Sequence, residues 1–121
     1  MIEVESIPDT NIVEMRFEGS VNAAEFDGAL ARFDALLREH DTIKLIERIG
    51  PMAMPPIPWS RFWDDVRFSF EYLARISHVA VVADQRWLSR WVRMVAPLLK
   101  ADVRSFPSSE LDEAREWIRN A

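Results

Sequence analysis

The chain has 121 residues, 49% of them hydrophobic, with a net charge of −5 and no cysteine. This length favours a single domain over residues 1–121 with a core of its own. The missing cysteines exclude disulfides, zinc–thiolate sites and cysteine nucleophiles, and the negative charge disfavours a general affinity for nucleic acid. No apolar run reaches the ~20 residues that span a bilayer, and the acidic start "MIEVESIPD" is unlike a signal or transit peptide. We therefore expect a cytoplasmic domain with no transmembrane segment.

The first part of the chain alternates between strand and helix patterns. The stretches "IEVESI" and "IVEMRFEG", joined by the turn signal "PDTN", predict a β-hairpin whose wet face carries Glu14, Arg16 and Glu18. Asn22 begins a capping-box pattern, which predicts a helix that runs to about His40. The stretch "TIKLIERI" then predicts a third strand.

The second part of the chain continues the alternation. Helix patterns in "WSRFWDDVRFSFEYL" and "QRWLSRWVRMVAPLL" are separated by the near-continuous apolar strand "HVAVVAD", whose Asp84 can cap the helix that follows. A short fifth strand, "ADVRSFP", precedes a last helix, "ELDEAREWIRN", for which Ser108 or Ser109 is the predicted cap. The residues of that helix predicted to face inward are Leu111, Ala114, Trp117 and Ile118.

The resulting element order is ββαβαβαβα. Strands that alternate with helices require right-handed crossovers and a largely parallel sheet covered by helices. We therefore predict one α/β domain in which four helices cover a mixed, mostly parallel five-stranded sheet.

Three stretches carry a family resemblance: the opening "MIEVESIPDTNIVEMRFEGSV", the passage "HVAVVADQRWLSRWV" and the ending "DVRSFPSSELDEAREWI". Together they resemble the SpoIIAA-like branch of the STAS fold, which is also described as STAS/Sec14-like. The resemblance covers essentially the whole chain, although no short motif in it is diagnostic by itself. It implies a small bacterial-type cytoplasmic domain, commonly dimeric, that binds nonpolar ligands, contacts membranes or regulates another protein.

The chain departs from this family pattern at one functional position. Anti-sigma antagonists of the fold carry a phosphorylatable serine in an Asp-Ser-Gly-like turn at a strand-to-helix junction. The corresponding region here is "IERIGPMAMPPIPWSRF", in which Ser60 lacks that context. The phosphoserine switch is therefore not expected in this chain.

Catalytic and metal-binding patterns are missing from the sequence. His40 and His78 have no neighbouring serine–acid arrangement, and three glycines cannot build a dinucleotide or phosphate-binding loop. Asp64 and Asp65 are adjacent on a predicted helix, where successive side chains do not face a common point. We expect no catalytic residue, no metal site and no cofactor, and hence no enzyme.

The stretch "GPMAMPPIPW" is the strongest functional candidate. It has four prolines, two methionines and no charge, and it follows the third strand, where open α/β sheets bind ligands. Prolines limit the chain's freedom, and methionine adapts to apolar partners of varied shape. A lid over an apolar cleft fits these properties, and so does a loop packed on the core or pressed against a dimer partner. The predicted ligand-binding residues are Met52, Met54, Pro55, Ile57 and Trp59 in the lid, with Trp63, Trp87, Trp91 and Met94 in the wall.

The third predicted helix carries more apolar surface than one small domain can bury, with Arg86, Arg90 and Arg93 on its wet side. The surplus surface favours a homodimer, and the arginines favour contact with an anionic membrane or another anion. We therefore predict a non-enzymatic binding or regulatory domain for a nonpolar small molecule, lipid or acyl chain. The alternative is a dimeric STAS-type module that binds a regulatory protein partner and takes no small ligand.

Overall fold

A computed structural model describes residues 1–19, 22–50, 74–84, 93 and 101–121. The elements within these residues are β1 (Ile2–Ser6), β2 (Ile12–Phe17), α1 (Ala23–Glu39), β3 (Ile43–Ile49), β4 (Ile76–Val82), β5 (Asp102–Phe106), a 3₁₀ turn (Ser108–Glu110) and α2 (Leu111–Asn120). The predicted helices between β3 and β4 and between β4 and β5 lie outside the described residues, apart from Arg93 in the second of them. Neither α1 nor α2 is long and apolar enough to cross a membrane.

The five strands form one sheet in the order β1-β2-β3-β4-β5. β1 is antiparallel to β2, and every other neighbouring pair is parallel. The predicted α/β class and its mixed, mostly parallel five-stranded sheet are thus confirmed. Because β2 to β5 run in the same direction, their carboxyl ends meet at one side of the sheet, which we call the carboxyl edge.

The β1–β2 connection is a tight turn, as the sequence predicts. The Ile7 carbonyl accepts a hydrogen bond from the Thr10 backbone N–H at 3.3 Å and a second from the Thr10 hydroxyl at 2.9 Å. Between them, Pro8 supplies a fixed φ, and Asp9 has a φ of +62°. Aspartate tolerates this left-handed conformation better than most residues, which suits it to the third position of such a turn.

Side-chain hydrogen bonds cap both ends of α1, with a local one at its start and long-range ones at its end. At its start, the Asn22 side chain accepts a hydrogen bond from the Glu25 N–H at 2.8 Å, which confirms the predicted cap. At its end, Arg75 donates from Nη2 to the carbonyl of Leu37 and, at 2.5 Å, to that of His40. Since the last carbonyls of a helix have no partner within it, Arg75 satisfies them and ties α1 to the start of β4.

The core has two layers, one on each face of the sheet. On the α1-side face, α1 packs against β1, and its apolar side chains share one buried cluster with residues of β2, β3 and β4. The buried set is Val13, Phe17, Phe33, Leu36, Leu37, Ile43, Leu45, Ile49, Ile76, Val79 and Val81. On the α2-side face, α2 covers Ile12, Ile46, Ala80 and Val82 with Ala114 and Ile118, and Phe106, Leu111 and Trp117 pack at its margin. The four residues of the last helix that were predicted to face inward therefore do so.

The start of α2 differs from the prediction. Its N-cap is Glu110, whose side chain makes no capping hydrogen bond, and the predicted caps Ser108 and Ser109 lie one turn earlier in the 3₁₀ turn. The prediction was wrong because the serine pattern marks the beginning of this short turn, and the α-helix starts only after it.

Candidate functional site

The carboxyl edge is where this architecture places a ligand site. Gly50 follows β3 there, Asp84 follows β4 and Ser108 follows β5. The uncharged stretch "GPMAMPPIPW" thus begins at this edge, at the end of the middle strand of the sheet.

Gly50 fixes the point at which that stretch leaves the sheet. Its N–H donates to the Phe17 carbonyl at 2.7 Å and extends the β2–β3 pairing by one residue. A Cβ at this position would lie 2.6 Å from Cγ of Glu18 and 3.3 Å from the Phe17 carbonyl oxygen. Only glycine allows this approach without a shift, so the chain leaves β3 packed against the end of β2.

Asp84 and Ser108 link the ends of β4 and β5. The Asp84 carboxylate accepts a hydrogen bond from the Ser108 N–H at 2.9 Å and another from its hydroxyl at 2.5 Å. These bonds favour the ionised form, so the Ser108 hydroxyl and then its N–H hold the pKa of Asp84 below its ordinary value. The sequence did not reveal this link because the two residues are 24 positions apart. The predicted capping of the next helix by Asp84 falls on residues outside those described.

Glu47 is the polar residue of the α1-side face near the carboxyl edge. In the sheet, Glu47 of β3 lies between Met15 of β2 and Val81 of β4. Its neighbours along β3 on the same face are Leu45 and Ile49. The residue is half-buried, and burial raises the pKa of its carboxyl to about 7. Among the described residues it has no hydrogen bond or ion pair. A signal in the sequence could have found it, because Glu47 interrupts an otherwise apolar alternation in "TIKLIERI".

A second acid, Glu14, is held on the α2-side face. Its carboxylate accepts hydrogen bonds from Arg115 Nε at 2.9 Å and Arg115 Nη2 at 3.2 Å, and Arg48 Nη1 lies 3.7 Å away. The hairpin prediction put Glu14 on a wet face, but only 8% of it is exposed, because Arg115 of α2 lies over it. Arg16 and Glu18, from the same predicted face, form a half-exposed ion pair. Glu14 is thus a paired structural acid.

The hydrogen-bonded serine–histidine pair of the described chain lacks the third member of a hydrolytic triad. His78 Nδ1 lies 2.9 Å from the Ser77 hydroxyl, and the imidazole packs edge-on against Trp117 at 5.8 Å. The guanidinium of Arg104 covers the same indole ring at 5.2 Å. No described carboxylate is hydrogen-bonded to His78, and no cluster of ligating side chains in this part of the chain could hold a metal ion.

The predicted ligand-binding residues were Met52, Met54, Pro55, Ile57, Trp59, Trp63, Trp87, Trp91 and Met94, and all of them lie outside the described residues. Of the three predicted anion-contact residues, Arg93 is described, and it is helical and exposed. Arg86 and Arg90 fall outside the described ranges. These residue assignments therefore stay predictions.

The comparisons with known proteins confirm the family resemblance. A protein-family model described as SpoIIAA-like matches residues 12–119, and the chain belongs to this family. Among solved structures, it is similar to an uncharacterized protein of the DUF3478 family from Shewanella loihica PV-4, which has a SpoIIAA-like fold. The match has a TM-score of 0.71, covers 98% of this chain and 92% of the other, and shows 13% identity, so it shows a shared fold alone. No curated protein matches the chain.

Proposed function

We propose that this chain is a non-enzymatic binding domain that holds a nonpolar small molecule or an acyl chain at the carboxyl edge of the α1-side face. The observation that carries the proposal is the position of Gly50, which starts an uncharged, proline- and methionine-rich stretch at the end of the middle strand. A stretch of that composition gains free energy when it covers apolar surface, at roughly 25 cal/mol per Å² removed from water.

Apolar surface is present beside the starting point of this stretch. Met15 and Ala83 pack against the core of the α1-side face but are only partly buried. Ile49 and Val81 belong to the same cluster, and each has less than a tenth of its area exposed. An apolar ligand at this edge would therefore bury the exposed parts of Met15 and Ala83 and displace water from them.

The described chemistry supports binding over catalysis. The Ser77–His78 pair has no orienting carboxylate within the described part of the chain, and both oxygens of Asp84 accept hydrogen bonds from Ser108. A cytoplasmic setting and contact with an anionic membrane surface, through Arg86, Arg90 and the exposed Arg93, are part of the same proposal.

The test uses delipidated full-length chain and a naphthalene-sulfonate probe whose fluorescence rises in apolar sites. We expect strong enhancement by the unmodified chain and loss of most of it in the triple variant Met52→Ser, Met54→Ser, Ile57→Ser. Ile7→Ser is the matched control, since Ile7 is 38% exposed in the turn at the opposite end of the sheet. The proposal would be overturned if the delipidated chain does not enhance the fluorescence of the probe. It would also be overturned if the triple variant enhances the fluorescence as much as the unmodified chain.

The second candidate is the dimeric STAS-type module that binds a regulatory protein and no small ligand. The observation in its favour is β1, which among the described residues pairs with β2 alone and so presents an open strand edge. Glu3 and Glu5 disfavour pairing of this edge with a second copy, because an antiparallel pair centred on Val4 would place Glu3 opposite Glu5. Native mass spectrometry separates the candidates: a bound lipid-sized mass supports the first, and a dimer without one supports the second.

A further inference from the structure

Glu47 occupies a position in which a carboxylate is costly. It lies in β3, the middle strand, two residues before the strand ends at Ile49, with Met15 and Val81 on either side. A carboxylate taken out of water without a partner costs several kcal/mol, so such groups are normally paired or hydrogen-bonded. The half-buried carboxyl of Glu47 would therefore gain from an opposite charge beside it, which its flanking strands do not supply.

The described helix on this face, α1, does not supply that charge either. α1 faces the sheet with apolar side chains, among them Phe33, Leu36 and Leu37. Its charged residues are exposed, apart from the half-buried Asp34, which pairs with Arg38 at 3.1 Å. They are Glu25, Asp27, Arg32, Asp34, Arg38 and Glu39.

A ligand can provide what the described protein groups do not. An ammonium group carries the opposite charge and three N–H donors, and its hydrogen bonds to a carboxylate are among the stronger ones in proteins. A hydroxyl group provides one neutral donor. A carboxylate head brings a second negative charge to Glu47 and is repelled once Glu47 is ionised.

From these contacts we infer that Glu47 is the polar anchor of the proposed site and selects apolar ligands headed by an ammonium group over those headed by a hydroxyl or a carboxylate. The inference rests on the proposed function, because it specifies the head group of the nonpolar ligand. The pKa of Glu47, raised to about 7 by burial, is consistent with a carboxyl that gains from a cation beside it.

The experiment compares octylamine, octanol and octanoate, which share an apolar chain and differ in the head group. Titration calorimetry on delipidated full-length chain at about pH 8 keeps Glu47 mostly ionised and octylamine charged. We expect octylamine to bind at least about tenfold more tightly than octanol, as a charge-assisted hydrogen bond predicts, and octanoate to bind most weakly. In Glu47→Gln the ratio between octylamine and octanol should fall to about one, with octanol binding unchanged.

Two further variants make the result specific. Glu47→Asp keeps the negative charge on a side chain that is one methylene shorter. This variant should therefore keep part of the preference for octylamine. Glu116→Gln removes the same charge from an exposed position on α2 and should leave the preference intact. This control measures any general attraction of a cation to an acidic protein.

The outcomes separate the inference from the function on which it rests. Equal affinities for octylamine and octanol in the unmodified chain overturn the inference, and so does a preference that survives Glu47→Gln or is lost in Glu116→Gln. In each case octanol binding still supports the apolar site. If none of the three compounds binds the unmodified chain, the proposed function fails, and the inference fails with it.

Discussion

The Asp84 carboxylate and the Ser108 hydroxyl lie 2.5 Å apart and join the turns that follow β4 and β5. A second hydrogen bond, from the Ser108 N–H at 2.9 Å, makes Ser108 the donor to both carboxylate oxygens. The link closes one end of the carboxyl edge, beside the start of the 3₁₀ turn that leads into α2.

Replacing Asp84 with alanine should lower stability more than replacing Ser108 with alanine, because the first change removes both hydrogen bonds and the second removes one. The pKa of Asp84 is lowered in the folded state, so its contribution is present above the ordinary aspartate pKa and is lost as the pH falls through the lowered value. Urea unfolding at about pH 7 and about pH 3 should therefore show the difference between Asp84→Ala and the unmodified chain shrinking in acid. A difference that is constant over this range would contradict the assignment.

Glu47 should make the chain less stable as the pH rises. Its folded pKa of about 7 lies above the ordinary value of 4.5, so between these values the folded state binds more protons than the unfolded state, and the free energy of unfolding falls with pH. The loss should be on the order of 3 kcal/mol in total, complete above the folded pKa.

The variant Glu47→Gln isolates this effect. In urea unfolding from about pH 4 to about pH 8, the free energy of unfolding of the variant should rise relative to that of the unmodified chain. At the upper end of this range the variant should be the more stable protein. The two proteins share every other titratable group, so the difference between the two curves reports Glu47. Parallel curves would show that the carboxyl is not desolvated in the folded state.

The Glu14–Arg115 pair should respond unequally to single and paired replacement. Arg115→Met leaves the Glu14 carboxylate buried with only Arg48 at 3.7 Å, which should cost about 2–4 kcal/mol. The double variant Glu14→Met, Arg115→Met should recover most of that loss, since a buried ion pair can be exchanged for apolar packing at little net cost.

Arg16→Met is the matched control for that pair, because it breaks the half-exposed ion pair with Glu18 on the same face of the sheet. It should change the free energy of unfolding by less than about 1 kcal/mol. Chemical unfolding of the unmodified chain, the single variants Glu14→Met and Arg115→Met, and the double variant gives the coupling between Glu14 and Arg115, and a coupling near zero would contradict the arrangement.

Arg75 should contribute more to the stability of α1 than Arg38 in the last turn of the helix does. Arg75→Met leaves the carbonyls of Leu37, His40 and Asp41 without its donors, at a cost of about 1–3 kcal/mol. Arg38→Met breaks the ion pair between the exposed Arg38 and the half-buried Asp34, and it should cost less than about 0.5 kcal/mol. Arg75→Lys should not restore stability, because an ammonium cannot reproduce the planar fork. Equal losses in the methionine variants, measured by circular dichroism during unfolding, would contradict this role.

Local patterns predicted most of the described fold. Alternation in "IVEMRFEG" and "HVAVVAD" and the helical spacing from Ala114 to Ile118 place β2, β4 and α2 within a few residues of their observed bounds. These patterns suffice because each reflects which side chains one element buries. The cap at Asn22 was predictable for the same reason, since its partner Glu25 is three residues away.

Contacts between distant elements could not be predicted in this way. Glu14 follows the polar alternation of its strand, and only the packing of α2 over β2 makes it a buried acid. The Asp84–Ser108 link depends on β4 and β5 being adjacent in the sheet, which the sequence implies without giving their register. Glu47 stood in the sequence as a break in an apolar alternation, but its meaning depends on Met15 and Val81 in the neighbouring strands.

The strand order has a consequence for how the chain folds during synthesis. Each strand pairs with the strand made just before it, so the sheet can grow by one strand at a time as the chain emerges. The α2-side face is different, because among the described residues it is α2, made after all five strands, that covers Ile12, Ile46 and Ala80. A nascent chain that ends after β5 would therefore lack the cover that α2 gives to these residues, and a chaperone that binds exposed apolar surface would find it at this stage.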